Sequence, residues 1–173
     1  TVEKAISETD VVLITGGSSV GVRDFTREIV EGLGSPGVLF HGVQMKPGKP
    51  LLGAFVEGKF IFGLPGHPVA VGVCFDEIVR PVLKKLSGLA IKDYLPERKT
   101  IKAKLRINIP SRFGFQEYVR VKLTNDSGTI WAEPVFGKSG LIRTLVEADG
   151  FLVVPENSNG LYEGETVEVF VFE

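Results

Sequence analysis

Two lysines in a proline-rich loop are the residues of this sequence best placed to do chemistry. The stretch MKPGKPLLGAF, residues 45–55, spaces Lys46 and Lys49 three residues apart. Pro47 and Pro50 reduce the freedom of the loop because proline fixes φ, so the two ammonium groups can meet an anion at a lower entropic cost. Lysine is most often a solvated surface charge, but this stiffening favours an anion site.

A glycine-rich turn offers a second place for an anion. TGGSSVG, residues 15–21, follows the apolar run VVLIT and precedes an expected helix. Glycines let the backbone approach an anion, and the exposed N–H groups and the helix N-terminus can bind phosphate. The spacing matches neither the dinucleotide fingerprint nor the Walker lysine pattern, and a purely structural turn is the alternative. Asp24, just after the turn, is a candidate helix cap or a magnesium ligand.

The stretch LPGHP, residues 64–68, repeats this arrangement at another expected strand end. Pro65 and Gly66 predict a tight turn before a second helix, and His67 is interpreted as a hydrogen-bonded spacer. Ligands of open α/β sheets bind outside the carboxyl ends of the strands. The three Gly- and Pro-containing segments are therefore predicted to meet at one sheet edge and to favour an anion there.

The surrounding elements predict two domains. Residues 1–95 are expected to form an α/β domain, in which VVLITGG is a strand buried on both faces and a hairpin turns at residues 57–59. A helix with Phe25, Ile29, Val30 and Leu33 on one face follows the glycine turn, and a second helix ends near Gly88. Residues 96–173 change to alternating strands, which predict a small antiparallel sandwich or barrel.

Composition excludes several classes of function. The chain has 173 residues and a net charge of −1, which argues against a nucleic-acid or anionic-membrane partner. No apolar run reaches about 18 residues, and Cys74 is the single cysteine, so a cytoplasmic protein is expected. One cysteine and two histidines make a Cys/His zinc site improbable.

Taken together, the motifs resemble the MoeA family of molybdenum-insertion enzymes, which includes the C-terminal domain of gephyrin. The matching stretches are TGGSSVGVRDF, MKPGKPLLGAF, GLPGHPVAVGVCFDEIVRPVL, FQEYVRVKL and KSGLIRTLVEADGFLVVPE. The resemblance implies an N-terminally incomplete, MogA-like molybdopterin-binding α/β domain followed by a small all-β barrel. It also implies a cytoplasmic transferase that inserts molybdate into adenylylated molybdopterin with release of AMP.

The resemblance also implies a role for particular residues. Phosphate or pterin-nucleotide binding falls to Gly16, Gly17, Ser19, Gly21, Pro65 and Gly66. The molybdate pocket would comprise Lys46, Lys49, Pro50, Arg120 and Ser139. Asp24 would bind Mg²⁺, and the catalytic set would be Asp24, Lys46 and Lys49. Tungstate is a possible alternative anion because it shares the charge and shape of molybdate.

The family pattern is not matched everywhere. His67 stands where the LPGxP turn usually carries Asn, and Phe115 stands where an arginine usually precedes the FxR element. The family's N-terminal domains are absent from the sequence, so residues 1–173 alone are expected to be inactive and to associate with those domains or with a second copy as a homodimer. A MogA-type adenylyltransferase is an expected partner. Two alternatives stay open, a gephyrin-type scaffold module and a molybdopterin-nucleotide-binding protein without transferase activity.

Overall fold

The chain folds into two compact units. The computed structural model describes residues 2–16, 25–89, 99–137 and 143–172. The first unit comprises residues 1–43 and 48–96, and the second comprises residues 44–47 and 97–173. The sequence predicted a single change of domain near residue 96, and it gave no sign that residues 44–47 join the second unit.

The first unit is built on a four-stranded sheet. Its elements in chain order are α1 (Val2–Glu8), β1 (Val11–Thr15), α2 (Phe25–Glu31), β2 (Pro36–His41), β4 (Leu52–Val56) and β5 (Lys59–Leu64), while β3 (Met45–Lys46) belongs to the second unit. The strand order is β1–β5–β4–β2. β1 pairs in parallel with β5, whereas β4 pairs antiparallel with both β5 and β2. β1, β2 and β5 therefore run in the same direction.

The hairpin between β4 and β5 turns where the sequence predicted it. Glu57 and Gly58 connect the strands with φ of 50° and 80°. Two consecutive positive φ values are typical of the type I′ turn, whose twist matches that of the flanking strands. The predicted hairpin is confirmed.

The helices α1 and α2 contribute to the core on one face of this sheet. Ile6 of α1 and Val30 of α2 are buried together with Val12, Ala54 and Ile61 of the strands. Successive strand residues point to opposite faces. Leu13, on the other face, is 41% exposed, so the prediction that β1 is buried on both faces is wrong.

The helical segment that follows β5 has an irregularity in its middle. α3 (Pro68–Cys74) continues into a π-helical turn (Phe75–Val79) and then into α4 (Arg80–Leu86). The backbone N–H of Arg80 donates to the carbonyl of Phe75, five residues earlier. Pro81 comes next and has no N–H to donate, which gives a local reason for the wider turn. The predicted end near Gly88 is confirmed, and that glycine has φ of 81°.

The second unit is a five-stranded barrel. Its elements are β3, β6 (Thr100–Leu105), β7 (Ile109–Pro110), β8 (Gln116–Asp126), β9 (Thr129–Pro134), α5 (Arg143–Val146), β10 (Gly150–Val154), β11 (Gly160–Leu161) and β12 (Thr166–Val171). The strands follow the order β10–β12–β6–β9–β8, and pairing of β8 with β10 closes the ring. The predicted β-barrel is confirmed.

One pairing in the barrel differs from the prediction. β6 pairs with β9 in parallel, whereas the other neighbouring pairs of the ring are antiparallel. A ring with an odd number of strands cannot alternate direction all the way round, so one parallel pair is required. The core inside includes Leu105, Val121, Leu152 and Val169.

Within the described part of the chain, none of the helices is long and apolar enough to cross a membrane.

Candidate functional site

Two glycine turns meet at the carboxyl edge of the first unit's sheet. Thr15 at the end of β1 lies in register with Leu64 at the end of β5, so Gly16 and Pro65 leave the sheet side by side. A Cβ added to Gly66 would lie 3.8 Å from the Cα of Gly16. Gly16 has φ of 84°, a conformation that glycine adopts without strain. The predicted convergence of these two strand ends is confirmed.

The loop that carries Lys49 leaves from the same edge, because β2 runs in the direction of β1 and β5. The N–H of Val43 donates to the carbonyl of Lys49 at 2.9 Å, and the N–H of Leu51 donates to Gly48 at 3.0 Å. Leu51 is fully buried, and its carbonyl accepts from Gly42 at 2.8 Å. The side chain of Lys49 is exposed. An exposed ammonium group thus projects from a backbone that is held on both sides.

Lys46 is fixed by a different arrangement, inside the second unit. β3 pairs in parallel with the start of β8, with Met45 opposite Gln116 and Lys46 opposite Glu117. Met45 is buried, and the N–H of Gln116 donates to the carbonyl of Gln44 at 2.9 Å. The buried methionine and the two-residue strand therefore fix the backbone from which Lys46 projects.

The side chain of Lys46 has a carboxylate partner. Its Nζ lies 2.7 Å from Oε1 of Glu117, and the side chains are 61% and 14% exposed, respectively. Ser111 Oγ donates to the other carboxylate oxygen, Oε2, at 2.9 Å. Neither Glu117 nor Ser111 was predicted, because Lys46 and Glu117 are 71 positions apart and no local pattern links them.

Arg120 is a buried cation held by neutral groups. Only 9% of the residue is exposed, and its guanidinium donates to the hydroxyl of Thr144 and to the carbonyl of Gly137, the latter at 2.9 Å. Burial lowers the pKa of Arg120 below its ordinary value. Because side chains alternate along β8, Arg120 and Glu117 lie on opposite faces of that strand. The second unit thus holds Lys46 and Arg120 with separate sets of partners.

Part of the predicted site lies outside the described residues. These positions are Gly17, Ser19, Gly21, Asp24 and Ser139. The proposed magnesium ligand, Asp24, is among them. In the ranges that the structure describes, no three His, Cys, Asp or Glu side chains are grouped so that they could hold a metal ion. Pro50 follows Lys49 in the held loop and is partly buried.

Two family models match the chain, one for each part of it. The model described as "Probable molybdopterin binding domain" matches residues 1–85, and the model described as "MoeA C-terminal region (domain IV)" matches residues 102–172.

Known proteins agree with both matches. A Methanocaldococcus jannaschii relative is 38% identical over 99% of this chain and 39% of its own. A Staphylococcus aureus protein named molybdopterin molybdenumtransferase is 34% identical over 99% of this chain and 40% of its own. The crystal structure of a molybdopterin biosynthesis MoeA protein from Pyrococcus horikosii superposes with a TM-score of 0.77 and 34% identity, over 99% of this chain and 39% of that one.

The chain therefore joins an α/β unit matched by the molybdopterin-binding model to a closed barrel matched by the MoeA C-terminal model. More particularly, the chain belongs to the MoeA family and carries the C-terminal region of that family. It spans about two fifths of the length of the curated relatives that it matches.

Proposed function

We propose that the chain takes part in the insertion of molybdate into adenylylated molybdopterin, a reaction that releases AMP. The observation that carries this proposal is the way in which the loop of residues 46–50 is held. Hydrogen bonds fix the backbone around Lys49, and strand pairing fixes the backbone at Lys46. A lysine that served only as a solvated surface charge would not require its backbone to be held in this way.

The chemistry of the anion suits this loop. Molybdate is a compact dianion whose four oxygens accept hydrogen bonds, and an ammonium group offers three donors on a flexible stem. Fixing the backbone lowers the entropy that each lysine loses when it binds. We propose that Lys46, Lys49 and Pro50 contact the oxyanion, and that tungstate can replace molybdate because it has the same charge and shape.

The glycine turns are proposed to receive the nucleotide part of the substrate. Gly16 and Gly66 lie side by side at the carboxyl edge of the sheet, and side chains there would restrict the approach of a phosphate. We assign the same phosphate or nucleotide group to four further residues, Gly17, Ser19, Gly21 and Pro65. We also propose that Asp24 binds Mg²⁺ and that the anion is contacted by Arg120 and Ser139. From the similarity to MoeA proteins, we also propose that the protein forms a homodimer and that a MogA-type adenylyltransferase is its partner.

Molybdate-dependent release of AMP tests the proposed reaction. The full-length protein is incubated with adenylylated molybdopterin, with and without molybdate, and AMP is measured by chromatography. We expect AMP to appear with molybdate and to match the amount of metal inserted. AMP release that is absent, or that is independent of molybdate, would contradict the proposal, and the gephyrin-type scaffold would then be the better interpretation.

A further inference from the structure

Lys46 is proposed to bind an anion, and yet its side chain already faces a carboxylate. Glu117 Oε1 lies 2.7 Å from the ammonium nitrogen, so the cation proposed to attract an oxyanion already has a negative partner. A carboxylate that holds the ammonium group competes with an anion for its N–H donors, so it lowers the affinity of this lysine for the anion. Glu117 must therefore influence whatever Lys46 binds.

Three features show that Glu117 is a fixed partner of Lys46. The β3–β8 pairing places the two residues directly opposite each other. Ser111 donates to the second oxygen of the carboxylate at 2.9 Å, which holds the orientation of the group. The side chain of Glu117 is 14% exposed, whereas that of Lys46 is 61% exposed. The carboxylate is the anchored member of the pair, and the ammonium is the accessible one.

We propose that Glu117 is the resident counter-ion of Lys46 and that it limits the affinity of this lysine for the oxyanion. The inference rests on the proposed function, because it takes Lys46 as an oxyanion ligand. Glu117 is a positioning residue: one N–H of the ammonium group is directed to the carboxylate, and the other two remain to meet the anion. The carboxylate orients the lysine and at the same time weakens its attraction for a dianion.

Weak retention is useful for a protein that must pass its metal on. An oxyanion held by uncompensated cations would leave slowly, since stronger binding mainly lowers the dissociation rate. A counter-ion that competes for the ammonium group favours release. Removing its charge should therefore tighten anion binding while the loop keeps its place.

The test is a calorimetric titration of the full-length protein with tungstate. Glu117→Gln retains the size of the side chain and its capacity for hydrogen bonds but removes its charge. We expect it to bind tungstate about two- to fivefold more tightly than the parent, which corresponds to the usual strength of an exposed ion pair. The gain should vanish when Lys46→Met is present in both proteins, because Glu117 acts through Lys46.

The outcomes separate this inference from the proposed function. Equal or weaker binding by Glu117→Gln, or the same gain in the Lys46→Met background, would overturn the role of Glu117. If the parent binds tungstate and Lys49→Ala weakens that binding, the proposed function stands even when Glu117 fails. A parent that binds no tungstate overturns both. Should Glu117→Gln melt at a much lower temperature, Glu117→Met provides the same comparison.

Discussion

Replacing Lys49 by alanine should weaken oxyanion binding and leave the fold intact. The loop backbone is held by hydrogen bonds from Val43 to the carbonyl of Lys49 and from Leu51 to Gly48, and neither involves the lysine side chain. The side chain is exposed, so its removal opens no cavity in the core. The substitution thus removes the side chain and leaves these backbone hydrogen bonds of the loop in place.

The size of the effect follows from the bond that is lost. A hydrogen bond between a charged donor and a charged acceptor contributes on the order of 1.5–3 kcal/mol. Since ~1.4 kcal/mol corresponds to a tenfold change, we expect the Kd for molybdate or tungstate to rise about 10- to 150-fold. Titration calorimetry of the full-length protein measures this directly, and thermal unfolding checks the fold.

Lys85→Ala is the matched control. Lys85 lies in the last turn of α4 in the same unit, is exposed, and is outside the loop. Its replacement removes the same charge and should change the Kd by less than about twofold, because exposed charges are screened. Equal affinities of Lys49→Ala and the parent would remove Lys49 from the site. An equal loss in both variants would show that only the net charge matters.

Three further predictions test the site and the fold. Asp24→Asn should reduce AMP release and alter its magnesium dependence. Loss of a helix cap alone would instead cost about 1 kcal/mol of stability and leave the activity intact. Full activity with unchanged magnesium dependence would therefore favour the helix cap. Gly53→Ala should destabilise the protein by about 1–3 kcal/mol, because the new Cβ would lie 2.3 Å from the side chain of Phe40. Gly72 is exposed in α3, and a Cβ added there would meet nothing within 4 Å. Gly72→Ala should therefore stabilise the protein by about 0.5–1 kcal/mol. Urea unfolding that gives both changes the same sign would contradict this packing. Burial raises the pKa of Cys74 to about 12 from an ordinary value of 9.0, so its contribution to stability should be complete below pH 9 and be lost as pH rises towards 12. Above pH 9, the urea concentration at the midpoint of unfolding should therefore fall less with pH in Cys74→Ala than in the parent protein. An identical fall in both proteins would refute this role of the buried thiol.

Local sequence patterns account for the strands and turns that were predicted. The stretch QEYVRVKLTND alternates apolar and polar residues, and it is the strand β8. The turn at Glu57 and Gly58 carries a glycine where positive φ is needed. These signals act within a few residues, so they can be recognised without knowing the partner strand.

Pairings between distant segments could not be predicted in this way. The alternation in β6 and β9 gives no direction of pairing, and their parallel arrangement follows from closing a ring of five strands. The pairing of β3 with β8, which brings Lys46 to Glu117, joins segments about 70 residues apart. The motif thus indicated the lysines of the proposed site, but the residues that hold Lys46 depend on tertiary structure.

Binding of a tetrahedral metal oxyanion by the loop of residues 46–50 is the part of the proposed function that can be tested most directly. Diffraction from crystals of the full-length protein soaked in tungstate, recorded at the tungsten absorption edge, locates the metal without reference to any model of the site. We expect an anomalous peak beside this loop, with oxygens within hydrogen-bonding distance of Lys49 Nζ, and no such peak in Lys49→Ala crystals. A strong peak elsewhere with none at the loop, or an unchanged peak in the variant, would contradict it.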